Sequence, residues 1–200
     1  MAHYFTDNKD LKSDRHEFTY YFGNELFCFT TDNGVFSKEN IDYGSYILIK
    51  TIYSLNLGSS LLDLGCGYGP IGIILKRFNP SLDIEMVDVN SRATELAVLN
   101  NQINSTDIKV HLTDDITKLD HKFDTIVLNP PIRAGKAVMY DLYEKSRDML
   151  NHDGHFYIVI KKSHGAMSSK RKLETLFAEV NIIEKENGYF VIDSFNPAGS

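Results

Sequence analysis

Cysteine is scarce in this chain: Cys28 and Cys66 are the two among 200 residues. Two thiols give no disulfide framework, and the expected compartment is a reducing, cytoplasmic one. Long apolar runs are missing too. Stretches such as "YILI" and "IGIIL" are far too short to span a bilayer, so no membrane partner is expected. The opening "MAHYFTDNKDLKSDRHEF" holds no apolar segment of the kind that marks a secretory leader. Positive charge is in deficit. A formal net charge of −6 argues against indiscriminate adhesion to nucleic acid and leaves any such contact to a local basic face. Metal-ligand spacing is lacking: the seven histidines are scattered, and His152 and His155 flank a turn glycine without cysteine partners, so no metal is expected. Neither a G-x-S-x-G elbow nor a P-loop occurs, and there is no internal repeat or low-complexity tract.

What is present alternates. "FTYYF" and "ELFCFT", from Phe18 to Thr30, read as a hairpin closed by a glycine-first turn at Gly23 and Asn24. The hairpin aromatics Tyr20, Tyr21, Phe22, Phe27 and Phe29 read as core. "YILIKTIYSL" carries a helical apolar stripe. From Ser59 onward seven strand patterns follow: "SLLDLG", "DIEMVDV", "IKVHLT", "FDTIVL", "HFYIVIK", "NIIEKE" and "YFVIDS". Helical patterns lie between them near 69–78, 91–101, 135–150 and 167–177. Strand–helix alternation predicts an α/β, Rossmann-like, doubly wound and mostly parallel seven-stranded sheet, with helices on both faces and an N-terminal hairpin. Residues 1–58 (arm, hairpin and helix) are expected to pack on a catalytic unit at 59–200, as one structural domain.

Ligands of such sheets bind beyond the carboxyl ends of the strands, and the unusual residues of this chain fall there. "DLGCGYGPIG", from Asp63 to Gly72, follows the first strand of the sheet. Gly65 and Gly67, with Cys66 between them, let the backbone turn tightly and approach a ligand. The spacing is G-x-G-x-G-P rather than the dinucleotide G-x-G-x-x-G. A carboxylate at Asp63 would repel a pyrophosphate but suits a cation, which points to S-adenosylmethionine, a sulfonium and ammonium ligand without phosphate. Asp88, with Val89 beside it, ends the second strand about twenty residues on, where an acidic side chain takes ribose hydroxyls. "LTDD" ends the third, and Asp114, in preference to Asp115, is the candidate for the adenine amino group. "FDTIVLNPPIRAGK" ends the fourth. Pro130 and Pro131 stop strand pairing and stiffen Asn129, leaving a rigid set of oxygen acceptors.

These residues resemble class I S-adenosylmethionine-dependent methyltransferases. "FTTDNGVFSKENIDYGS", "LLDLGCGYGPIG", "NPPIRAGK" and "IVIKKSHGAMS" together resemble the ribosomal RNA small subunit methyltransferase C family, in a single-domain form. The resemblance implies methylation of a guanine 2-amino group in small-subunit ribosomal RNA, with that RNA or the subunit as partner. It implies that Asp63, Gly65 and Gly67 contact the methionine part of the cofactor, Asp88 its ribose and Asp114 its adenine. Asn129 and Pro130 would hold the target amine, and Gly34 to Ser37, including Phe36, would fold over cofactor and target.

The chemistry fits a poor nucleophile. An aromatic amine delocalises its lone pair into the base. Acceptors at the Asn129 side chain and the Pro130 carbonyl would orient it by positioning and electrostatics, without a strong general base. Ile132 would pack a base face. Arg133, Lys136, Lys161 and Lys162, and further on Lys170, Arg171 and Lys172, follow the fourth and fifth strands, where they could hold RNA phosphates. The same acceptor motif would serve an adenine 6-amino or protein glutamine amide methyltransferase. A non-catalytic RNA-binding relative and a nicotinamide dehydrogenase fit these motifs less well.

Overall fold

The computed structural model of the chain describes residues 13–33 and 40–197. Strands β1 (His16–Phe22) and β2 (Glu25–Thr31) pair antiparallel as a separate two-stranded sheet, turned at Gly23 with φ of +57°. Period-2 alternation puts Phe27 and Phe29 into the core while Cys28 faces out. The same alternation corrects the reading of Tyr21 as core. It lies opposite Leu26 on the outward face and is 69% exposed.

Helix α1 (Tyr43–Ile52) starts at an Asp42 cap and buries Ile47, Leu48, Ile49 and Ile52. The main unit follows as β3 (Ser60–Leu64), α2 (Pro70–Phe78), β4 (Asp83–Asp88), α3 (Ser91–Ile103), β5 (Lys109–Leu112), β6 (Phe123–Leu128), α4 (Lys136–Asp148), β7 (Leu150–Lys161), α5 (Ala166–Leu173), β8 (Phe177–Glu186) and β9 (Tyr189–Pro197). Seven strands form one sheet in the order β5-β4-β3-β6-β7-β9-β8, with β9 antiparallel to both neighbours. Two boundaries differ from expectation. β7 begins at Leu150, pairing with Phe123 across an irregularity in register. β8 begins at Phe177, where a helix was expected, because α5 ends at Leu173 and the chain turns straight into the edge strand.

Central strands covered on both faces are mainly apolar. Leu61 belongs to a core shared with the hairpin, α1, α2 and α3; Leu62 belongs to the opposite core beneath α4 and α5. Each is fully buried, worth about 1.5–3 kcal/mol of transfer. From β3 the chain winds outward to β4 and β5, then returns to β6 on the other side. In sheets of this kind such a reversal is where the ligand crevice lies, here beyond the carboxyl ends of β3 and β6.

The hairpin is fastened to α3 by two asparagines. Asn100 accepts from Thr30 N at 2.7 Å and donates to Thr30 O and Tyr68 O, each at 2.9 Å. Asn104 accepts from Cys28 N at 3.0 Å and donates to Cys28 O at 2.8 Å. Two carboxamides four positions apart, one in α3 and one at its C-cap, thus pair with alternate residues of β2.

Candidate active site

The crevice is lined first by the turn after β3. Gly65 and Gly67 take φ of +69° and +59°, a region costly for residues with a Cβ. A Cβ at Gly67 would meet nothing within 4 Å, so the backbone there faces open space. The turn is anchored below, where Gly65 N and Cys66 N donate to Val87 O at 2.8 and 2.9 Å. The Cys66 side chain is buried in the core, and burial pushes its thiol up, so this residue offers a ligand its backbone rather than its sulfur.

Asp63 is the anomaly of β3, a carboxylate with no exposed surface. Its Oδ2 accepts from Gly72 N at 2.9 Å, while Oδ1 is buried without a partner. Burial, with the Asp88 charge added, pushes this carboxyl up to about 7. Asp88 ends β4 half-buried, accepting from Gly67 N and Asn90 N at 2.9 Å, and burial raises it as well. A buried carboxyl with an orphaned oxygen and a second, half-buried carboxyl beside an open glycine turn suit a ligand that brings cationic and hydroxyl donors. The donor set of Asp63, Gly65 to Gly67, Asp88 and Val89 therefore fits S-adenosylmethionine.

At the end of β5 the two aspartates part company. Asp115 caps the short turn at Ile116–Lys118, accepting from Thr117 N and Oγ1, and the Thr117 hydroxyl holds it below the usual carboxylate range. Asp114 is 75% exposed and has only a 3.7 Å ion pair with Lys118. The structure thus leaves Asp114 as the aspartate with a side chain to spare.

Across the crevice β6 ends at Leu128, and Asn129 and the buried Pro130 follow. Asn129 Nδ2 donates to Asp42 Oδ1 and Oδ2 at 3.1 and 3.3 Å and to Ser45 Oγ at 3.1 Å. The Pro130 carbonyl receives no hydrogen bond from the described backbone. Pro131 O accepts from Ala134 N, closing the turn at Ile132–Ala134, and Ile132 leans on the core below α4. Asp42 and Ser45 were not singled out in the sequence, where they fall in a loop-like stretch ahead of the helical stripe.

Another neighbour that the sequence did not single out is Tyr189, at the head of β9. A Cβ placed on Gly44 would lie 3.1 Å from the Tyr189 ring and 3.5 Å from Asn129 Nδ2, so the ring stands in the wall beside the acceptor motif. It packs edge-on against Tyr43 at 5.7 Å, and Lys161 Nζ lies 5.7 Å from its centroid. Lys161, Lys162, Ser163 and Gly188 line a shallow depression of about 470 Å³. Arg133 and Lys136 are exposed. None of Arg133, Lys136, Lys161 and Lys162 has a carboxylate partner among the described residues. Lys170 and Lys172, by contrast, pair with Glu174 and Glu144 and read as helix-surface charge. Phe36 and its stretch from Gly34 to Ser37 lie outside the described residues. Among the described residues no cluster of metal-ligating side chains forms, and no helix is long and apolar enough to cross a membrane.

A sheet reversing between β3 and β6, a glycine turn under a buried carboxylate and an acidic end to β4 define the S-adenosylmethionine-dependent methyltransferases. The chain belongs to the methyltransferase small domain family, whose model matches residues 27–193. It is 41% identical to an uncharacterised Bacillus subtilis protein, YbxB, over 95% of this chain and 96% of that one. It is 34% identical to the ribosomal RNA small subunit methyltransferase C of Aeromonas hydrophila over 76% of this chain and 44% of that one. The chain thus spans about half the length of the methyltransferase C relatives it matches. In fold it is similar to the T. thermophilus 16S rRNA N2 methyltransferase solved with AdoMet and guanosine. The TM-score is 0.80 at 22% identity, covering 91% of this chain and 50% of that one.

Proposed function

We propose that the protein transfers a methyl group from S-adenosylmethionine to an exocyclic amine, the guanine 2-amino group of small-subunit ribosomal RNA. The observation that carries this is the pair of free acceptors after β6. With Nδ2 of Asn129 engaged by Asp42 and Ser45, its Oδ1 and the neighbouring Pro130 carbonyl remain for a donor. An NH₂ group has two hydrogens to give, and two rigid acceptors orient it. When bound, the cofactor supplies an electrophilic methyl on a cationic sulfur. The residues of the chain draw the amine's hydrogens toward Asn129 and Pro130, which localises its lone pair, and they hold it still. The extra proton on the methylated nitrogen passes to water. Tyr189 offers a ring face to a base, Ile132 being aliphatic, and the unpaired cations at Arg133, Lys136, Lys161 and Lys162 match phosphates. A base inside a helix is out of reach, so the target is an unpaired or flipped nucleotide.

The test is transfer from labelled cofactor to small-subunit ribosomal RNA, and to assembled subunits, taken from a strain lacking this gene. Mass mapping of the nucleosides should find N2-methylguanosine. Methyl on adenine N6, on a protein glutamine or on no acceptor at all would overturn the substrate assignment.

A further inference from the structure

An asparagine side chain is nearly the same shape with its oxygen and nitrogen exchanged, so packing alone does not decide which end faces a target. Hydrogen-bonding partners decide. For Asn129 the partners come from the start of α1, remote in sequence. Asp42 presents both carboxylate oxygens to Nδ2, at 3.1 and 3.3 Å, and Ser45 Oγ adds a third contact at 3.1 Å. A carboxylate only accepts, so it admits the NH₂ end and refuses the oxygen.

Asp42 is itself held firmly. Its Oδ1 caps α1 by accepting from Ser45 N at 3.2 Å, and its backbone oxygen accepts from Tyr46 N at 3.0 Å. Gly44 keeps the approach clear, since a Cβ there would sit 3.1 Å from Asp42 Oδ1. An ordinary helix cap needs one oxygen on one backbone N–H. This one spends both oxygens on the Asn129 side chain just past β6 as well.

We propose that Asp42 is a positioning residue that sets the polarity of the Asn129 carboxamide, turning Oδ1 toward the target amine. The inference rests on the reading of Asn129 as the amine's acceptor. It also gives a specificity rule: while Asp42 is a carboxylate the site presents an acceptor, and it selects targets that donate N–H over targets that accept.

Asp42→Asn is the informative variant. Asparagine caps helices as well as aspartate does, so its Oδ1 keeps the bond from Ser45 N and the fold is retained. Its other end becomes an NH₂ set against the NH₂ of Asn129, so only the Oδ1 contact survives, and the flipped carboxamide, with Asn129 Oδ1 accepting from the new NH₂, is no longer refused. Single-turnover transfer should fall about 10- to 100-fold, with melting temperature and cofactor affinity unchanged. In an Asn129→Ala background the same substitution should have little further effect, because the group it positions is gone. A second readout is independent of substrate. The side-chain NH₂ resonances of Asn129, identified by their loss in Asn129→Ala, should be protected from solvent exchange in the wild type and lose that protection in Asp42→Asn. Equal protection in both proteins, or rate losses that add in the double variant, would overturn the inference. A slow Asn129→Ala beside a wild-type Asp42→Asn overturns it alone. A wild-type rate in Asn129→Ala removes the reading of Asn129 and this inference with it.

Discussion

Two aspartates on adjacent strands, Asp63 near the carboxyl end of β3 and Asp124 near the amino end of β6, show how differently the two ends of one sheet are built. Asp124 Oδ2 accepts from Ser59 N and Ser59 Oγ at 2.7 Å and from Ser60 N at 3.2 Å, while Oδ1 accepts from Asn151 Nδ2 at 2.7 Å. Partial burial pushes this carboxyl up, but the bonds from Ser59, Asn151 and Ser60 outweigh it and leave it at about 2. Asp63 has one bond and an orphaned oxygen, and burial leaves it at about 7. A saturated carboxylate ties the chain to itself. An unsaturated one in a dry place is a site for something the protein does not contain. By this contrast the hollow of about 430 Å³ around Asn56, Gly58, Asp124 and His155 reads as scaffold, and the carboxyl end of the sheet as the proposed site of chemistry.

If that division holds, changes at the carboxyl end cost function and changes at the amino end cost stability. Asn129→Ala should give the largest effect, a roughly 10²–10³-fold loss of single-turnover methyl transfer, the usual cost of one preorganised electrostatic partner. Thermal melting and cofactor affinity should stay near wild type, because β6 and the glycine turn are untouched. Loss of melting cooperativity instead would return Asn129 to the scaffold.

Asp63→Asn comes next. Removing the charge should weaken S-adenosylmethionine binding by about 1.5–3 kcal/mol, read by calorimetry. The pH dependence sharpens this. The folded value of Asp63 lies above its ordinary 3.8, so the protonated carboxyl favours the fold; that contribution is complete below 3.8 and lost as pH rises through about 7. A bound cation favours the ionised form, so wild-type cofactor affinity should strengthen as pH rises through about 7 and lose that dependence in the variant. A flat wild-type profile would break the comparison on its functional side.

Asp124→Ala tests the other end. It should lower stability by about 1–2 kcal/mol at neutral pH, after allowance for solvent screening, and leave cofactor affinity alone. Because the folded value lies below 3.8, the contribution is present above that pH and fades as pH falls through about 2. Denaturant melts at neutral and acid pH check both statements. The smallest effect is expected from Lys161→Ala with Lys162→Ala. The salt slope of RNA binding should flatten by about 0.7–0.9 per lysine, with cofactor affinity unmoved. An unchanged slope would make these lysines ordinary surface charge.

Much of this was legible in advance. Strand–helix alternation gave the layered sheet, because burial on both faces writes continuous apolar runs. Asp63, Gly65, Gly67, Asp88 and Asn129 stood out because each lies at or just past the carboxyl end of a strand and breaks the apolar pattern. What stayed hidden was contact between distant segments. Asp42 and Ser45 meet Asn129 across more than eighty positions, and as a local pattern they read only as loop. Tyr189 reads as one more strand aromatic until β9 folds back beside β7 and sets it against Gly44. Tyr21 was misjudged for the converse reason: aromatic character was weighed above its place in the alternation.

The asparagines of α3 have a consequence for assembly. A two-stranded hairpin is marginal alone and exposes unpaired N–H and C=O groups along its edges, a template for another strand. Alternate residues of a strand repeat at about 6.7 Å, and positions four apart on a helix at about 6.0 Å. The near match lets Asn100 and Asn104 meet Thr30 and Cys28 as a neighbouring strand would, each carboxamide giving one donor and one acceptor. The helix thereby occupies a stretch of the β2 edge that a second chain would otherwise zip onto. Replacing both asparagines with leucine would reopen it, and the variant's first symptom would be self-association through the hairpin, ahead of any loss of the central sheet.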